Sequence, residues 1–103
     1  MCEIFANQPQ QNYRIIARSI RIDGHATSIK LEASFWGILE EIARQQNMTL
    51  PKFISAIYSE AIVYNPEIKN FTSLLRCACL IYLRHPENVL SKIQQQLQTP
   101  HPH

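Results

Sequence analysis

Thr27-Ser28-Ile29-Lys30-Leu31-Glu32 is the stretch that decides the fold. Apolar and polar residues alternate along it, and a period of two marks a strand with one covered face and one open face. Thr27, Ile29 and Leu31 fall on one side, and Ala26, Ser28 and Lys30 on the other. The period then changes with no turn residue between. From Ala33 the apolar residues recur at helical spacing, with Phe35, Trp36, Leu39, Ile42 and Ala43 on one stripe and Glu40, Glu41, Arg44 and Gln45 off it. This predicts a helix over about 33–46, started near Glu32 or Ser34. Asn47 tolerates the left-handed conformation that ends a helix, Thr49 is a favoured N-cap and Pro51 suits a first turn. A second helix therefore runs from about Leu50 to Val63, with Leu50, Phe53, Ile54, Ile57 and Ala61 inward, until Asn65-Pro66 breaks it.

Outward from this core the pattern is plain on both sides. Tyr13 to Ile22 reads as β, and Asp23-Gly24 is the strongest turn signal in the chain, so a hairpin is expected as a local possibility. A two-residue turn sets Ile22 opposite His25, and a four-residue loop sets it opposite Thr27. In both registers Ile20 and Ile22 share the face of Thr27, Ile29 and Leu31, while Ser19 and Arg21 join Ser28 and Lys30. Downstream, Asn70 caps a third helix carrying Leu74, Leu75, Ala78, Ile81 and Tyr82 and ending about His85. Pro86 opens a fourth, Glu87 to Gln98. Residues 1–12 lack periodicity and read as a flexible arm, 13–98 as one domain, and 99–103 as a disordered tail. The class is mainly α with a short N-terminal β element.

At 103 residues this is a single small domain, near the size where one core gives a modest stability margin and a partner chain helps. Charged residues are 17% of the chain, too few for a disordered polyelectrolyte. The net charge of +2 says little, but Arg14, Arg18, Arg21 and Lys30 gather around the strand, where only Glu3, Asp23 and Glu32 oppose them. Cys77 and Cys79 lie about 200° apart around a helix, so they do not share a metal and read, with Cys2, as small buried thiols of a reducing cytosol. No signal segment or membrane-length apolar run is present, so a cytoplasmic protein without a membrane is expected.

The strand-helix-turn-helix order over Thr27 to Ala61 resembles the ribbon-helix-helix proteins, the class of the Arc and Met repressors. Ser19-Ile20-Arg21-Ile22, Gly24-His25, Thr27 to Glu32, Phe35-Trp36 and Asn70-Phe71-Thr72-Ser73-Leu74-Leu75-Arg76 resemble a small bacterial subfamily, with the resemblance covering roughly 18–84. It implies an intertwined homodimer with extra C-terminal helices, in which two chains each donate the strand to a ribbon that enters the major groove of double-stranded DNA. A lone short strand leaves its backbone unpaired, which agrees with a partner strand from elsewhere. By the resemblance Ala26, Ser28 and Lys30 face the bases, with Arg21 and His25 beside them, and Thr49 and Lys52 clamp a phosphate at a helix N-terminus. Ala26 offers a methyl group and Ser28 a short hydroxyl, so Lys30 is the only long donor among the three.

The chemistry of catalysis is not prefigured. His25 beside Asp23 and Ser28 lacks a convergent second group, since neighbouring strand and turn residues diverge. His101 and His103 lack further ligands, and two glycines make no phosphate loop, so neither a metal nor a cofactor is expected. The expected function is a transcriptional regulator, a repressor by type. The alternative is an antitoxin or adaptor whose C-terminal helices bind a protein partner and which contacts DNA weakly or not at all.

Overall fold

The computed structural model describes residues 2–85 and 87. Two short helical turns, α1 (Cys2–Ala6) and α2 (Gln10–Tyr13), precede the strands β1 (Ile15–Ile22) and β2 (His25–Glu32). Three longer helices follow, α3 (Ala33–Gln45), α4 (Leu50–Tyr64) and α5 (Phe71–Arg84). β1 and β2 pair antiparallel, with Ile22 opposite His25 at the turn and Ile15 opposite Glu32 at the far end. Of the two registers open to the sequence, the structure takes the two-residue turn. Asp23 and Gly24 adopt φ of 54° and 79°, the paired left-handed residues whose twist matches that of the flanking strands. Nothing lies within 4 Å of where a Gly24 Cβ would stand, so the glycine serves the positive φ and not clearance. β2 thus finds a hydrogen-bonding partner for one of its edges in its own chain.

The inner face of this hairpin is the floor of the core. Ile20 and Ile22 from β1 and Ile29 and Leu31 from β2 are buried under Trp36, Leu39, Ile42 and Ala43 of α3, Phe53 and Ile54 of α4, and Leu75, Cys79 and Tyr82 of α5. Thr27, on the same row, is exposed, although Ile20 opposite it and Ile22 nearer the turn are buried. Three polar contacts fix the hairpin to the helical layer. The Trp36 indole Nε1–H donates to the Ile16 carbonyl at 2.9 Å, joining α3 to β1 while its ring stays buried. Arg18 lies over that ring, 5.0 Å from its centroid, and bonds Glu40 of α3 at 2.9 Å. Glu32, the last residue of β2, accepts from Arg76 of α5 through both carboxylate oxygens, at 3.0 and 3.3 Å.

Helix ends follow the sequence closely. α3 closes with Asn47 at φ 56°, the Asn47 N–H on the Arg44 carbonyl and the Met48 N–H on the Ala43 carbonyl, which satisfies two end carbonyls. Thr49 caps α4 and Asn70 caps α5 through their side chains. Glu32 precedes α3 but makes no side-chain cap, since its carboxylate is turned to Arg76. On α5 the inner stripe is Leu75, Cys79 and Tyr82, and Ile81, expected inward, falls off it and is exposed. Within the expected arm, the Asn12 carbonyl of α2 accepts from the Ser34 hydroxyl at 2.6 Å, and just beyond it the Arg14 carbonyl accepts from Ala33 N–H at 2.8 Å. Of the expected helix of Glu87 to Gln98 only Glu87 is among the described residues, and the tail of 99–103 lies outside them.

Because Leu31 is 0% exposed beneath the ribbon, Leu31→Ala opens a cavity and is expected to cost about 2–5 kcal/mol in urea unfolding. Lys30→Ala, on the open side of the same strand, should fall within about 0.5 kcal/mol of wild type. Equal losses in the two variants would contradict this assignment of faces.

Candidate nucleic-acid interface

Register and alternation together build the outer face of the hairpin. Ala17 lies opposite Lys30, Ser19 opposite Ser28 and Arg21 opposite Ala26, and all six are exposed. Small residues fill the centre of this face, so the backbone can come close to whatever covers it. The long cations stand at its two ends, Arg21 near the turn and Lys30 near α3. Arg21 steadies the turn by donating from Nη1 to the Gly24 carbonyl at 3.0 Å, and its other N–H groups remain. A two-residue turn closes on a hydrogen-bonded pair, so these three outward pairs are the non-hydrogen-bonded ones. Their own N–H and C=O groups point to the two outer edges, and no third strand joins the sheet among the described residues.

The basic cluster of the sequence divides in three dimensions. Arg18 belongs to the inner row with Ile16 and Ile20, and Glu40 and Trp36 engage it, so it is not part of the open face. Its place between two inward isoleucines is the signal in the sequence. His25 shares the inner row as well, at the exposed tip opposite Ile22, and so lies across the strand from Ala26, Ser28 and Lys30. The structure therefore brings Arg21, Ala26, Ser28 and Lys30 together on one face and places His25 at its end. Ala17 and Ser19 complete the face from β1, because the second row of outward side chains comes from the strand before the turn.

Thr49 and Lys52 stand exposed at the start of α4. The Thr49 hydroxyl accepts from the Lys52 N–H at 3.4 Å, and Pro51 has no N–H, which leaves Leu50 as the free donor of the first turn. An anion there is met by the Lys52 ammonium and the helix dipole more than by backbone donors.

Of the thiols, only Cys79 is buried; Cys2 and Cys77 are exposed, which corrects the expectation of three small core residues. Burial pushes the Cys79 thiol up to about 11, so it stays protonated and inert near neutrality. No three His, Cys, Asp or Glu residues gather into a metal-holding group among the described residues. No helix among them is long and apolar enough to cross a membrane.

The chain belongs to the ribbon-helix-helix domain family, whose model matches residues 15–83, from the first residue of β1 nearly to the end of α5. It is similar to a solved structure, that of an uncharacterized protein from Bordetella pertussis Tohama I. The two share 44% sequence identity and a TM-score of 0.79 over 85% of this chain and 70% of that one. No curated protein is significantly similar to the chain.

Arg76 holds the Glu32 carboxyl below its ordinary 4.5, first through their hydrogen bond and then with help from the backbone at Glu32. A carboxylate depressed on folding adds stability above its unfolded value, and that stability is lost as pH falls through the lower folded value. Partial exposure limits the pair to about 1 kcal/mol or less. Arg76→Leu should thus be less stable than wild type near neutrality, with the gap closing at acid pH, as measured by urea unfolding across pH. A gap that is unchanged between about pH 6 and about pH 2 would contradict the assignment.

Proposed function

We propose that the protein is a sequence-specific DNA-binding transcriptional regulator, a repressor by type, which works in the cytoplasm as a homodimer and inserts its β-ribbon into the major groove of double-stranded DNA. The observation that carries this is the open ribbon face, small at its centre and cationic at both ends. A two-stranded ribbon fits the major groove, where each base pair shows a distinct set of donors and acceptors. On this face Lys30 and Arg21 reach base edges or phosphates, Ser28 offers a hydroxyl and Ala26 a methyl contact. His25 lies at the tip, on the row opposite to Ala26, Ser28 and Lys30. Thr49 and Lys52 meet a backbone phosphate, which positions the ribbon without reading sequence. Membership of the family supports DNA as the partner, because its domains typically bind DNA as dimers. The family is generally non-enzymatic, and neither cofactor nor metal has a place in this function.

Apolar side chains left open on the helices support the homodimer. Val63 and Tyr64 at the end of α4 are 75% and 89% exposed. On α5, Leu80, Ile81 and Leu83 stand open as well, and these also favour a second function, an antitoxin or adaptor that binds a protein through its C-terminal helices. The two functions differ in what Lys30 does. Genome-wide recovery of DNA bound to the native protein supplies the site on which to measure it.

On such a site Lys30→Ala is expected to weaken binding by about 1–3 kcal/mol in fluorescence anisotropy while the dimer persists. Wild-type affinity for that variant would move the adaptor function ahead. Binding by the native protein should also fall steeply as salt rises, since phosphate contacts release counterions. An affinity indifferent to salt would contradict an electrostatic interface. Sedimentation at micromolar concentration should give twice the 12.0 kDa chain mass, and a folded monomer there would remove the homodimer.

A further inference from the structure

Resting on the DNA-binding function proposed above, we infer that β1 is a phosphate-binding flank. Its outer edge, the Ser19 hydroxyl and the Arg21 guanidinium hold the DNA backbone along a wall of the major groove, while the bases are left to Ala26, Ser28 and Lys30 of β2. In that function the ribbon is two β2 strands, one from each protomer, joined at the edge that β1 leaves open. β1 itself is committed to the other edge of β2 along eight consecutive pairs, from Ile15–Glu32 to Ile22–His25. It is also fixed from below, since Ile20 and Ile22 are buried and the Trp36 indole bonds the Ile16 carbonyl. Each protomer therefore carries a β1 strand outside the ribbon, on the same sheet and with the same outward face.

Strand spacing decides what β1 can touch. At roughly 4.8 Å per gap, the two β2 strands lie about 2.4 Å either side of the centre line and the two β1 strands about 7 Å from it. The walls of a ~12 Å major groove stand about 6 Å from that line. β2 is thus over the base edges and β1 over the sugar–phosphate chains. The residues of β1 suit that place. Ala17 and Ser19 are small and exposed, which lets the strand settle on the rim. Ala17, Ser19 and Arg21 belong to the non-hydrogen-bonded pairs, so their N–H groups point away from β2, along the side that meets the wall. Backbone N–H groups and hydroxyls are neutral donors to phosphate oxygens, and Arg21 adds a charged fork of which the Gly24 carbonyl takes up only Nη1. Arg18, the other cation of β1, is held on the inner face by Glu40 and takes no part. α4, which carries Thr49 and Lys52 at its start, is a helix that packs on β1, so the two phosphate-contacting elements are neighbours in the fold.

The test starts with selection from a random duplex DNA library by the full chain and by Arg21→Ala, Arg21→Lys and Lys30→Ala, each shown to be folded by circular dichroism. All four are then titrated against the wild-type motif and a scrambled duplex at several salt concentrations. Arg21→Ala should enrich the wild-type motif, weaken binding to both duplexes by the same factor and reduce the slope of log K against log salt by about one per chain. Arg21→Lys keeps the charge and should keep the slope. Duplexes carrying a single neutral methylphosphonate should reveal positions that weaken wild type and no longer matter to Arg21→Ala. Lys30→Ala should instead change the motif. If Arg21→Ala changes the motif, or weakens binding to the motif and not to the scrambled duplex, Arg21 reads bases and the inference is overturned. Wild-type affinity and slope in Arg21→Ala would overturn it too, with the DNA-binding function left standing. If wild type binds DNA without enriching a motif, sequence specificity fails while the slope of Arg21→Ala still decides the inference. If folded wild type binds no duplex at any salt concentration, the DNA-binding function itself fails and takes the inference with it.

Discussion

The backbone ladder between β1 and β2, closed by Asp23 and Gly24, is the constraint on which the rest of the chain depends. It satisfies the facing donors and acceptors of two short strands at once, and through the pleat it assigns every side chain of both to one of two faces. Shifting that register by one residue would turn Ile29 and Leu31 outward and Ser28 and Lys30 into the core. Asp23 and Gly24 hold the register because both take the left-handed conformation that a two-residue turn needs. A local device, read from two adjacent residues, therefore governs which groups can meet a partner.

Once the faces are set, the inner one is held by contacts that are polar at their tips and apolar in their bodies. Trp36 buries its ring and still finds a carbonyl for its N–H, Arg18 covers that ring and ends on Glu40, and Arg76 runs past Phe35 to Glu32. Each joins a strand to a helix distant in sequence. Most of their stabilisation comes from burial and stacking, since the ion pairs themselves are partly exposed. They also remove Arg18 and Arg76 from the pool of free cations, which leaves the outer face with a simple pair of charges at its ends.

Much of this is legible in the sequence, for reasons that are local. The period of two over Thr27 to Glu32, the period of 3.6 from Ala33, the left-handed Asn47, the Thr49 and Asn70 caps and the Asp23-Gly24 turn all act within a few residues, so the pattern alone places them. Membership of the ribbon-helix-helix family follows from the same residues. What escapes are relations across the chain. The Asp23-Gly24 signal allows two registers, and the choice between them is seen only when the two strands are paired. Arg18 counts by charge with the surface cations, although its place between Ile16 and Ile20 puts it inside. Ile81 and Cys77, both expected to be buried, are exposed because the side of α5 that meets α3 depends on packing, not on propensity. The outer face gains Ala17 only when the ladder fixes what lies opposite Lys30, whereas Ser19 shares that face in both registers the sequence allows.

With the family shown and the outer face open, the question that matters most is whether β1 and β2 of a hairpin belong to one chain in solution. Outward pairs in an antiparallel ladder that are not hydrogen-bonded bring their Cα atoms to about 4.5 Å, close enough for strong Hα–Hα nuclear Overhauser effects. The direct measurement is a filtered experiment on a sample in which isotope-labelled and unlabelled chains have been unfolded together and refolded. Ser19–Ser28 and Arg21–Ala26 contacts should appear within labelled chains and be missing from the spectrum that selects contacts between labelled and unlabelled ones. Those same contacts appearing between chains instead would show β1 of one protomer paired with β2 of another and contradict the hairpin as the unit of the fold.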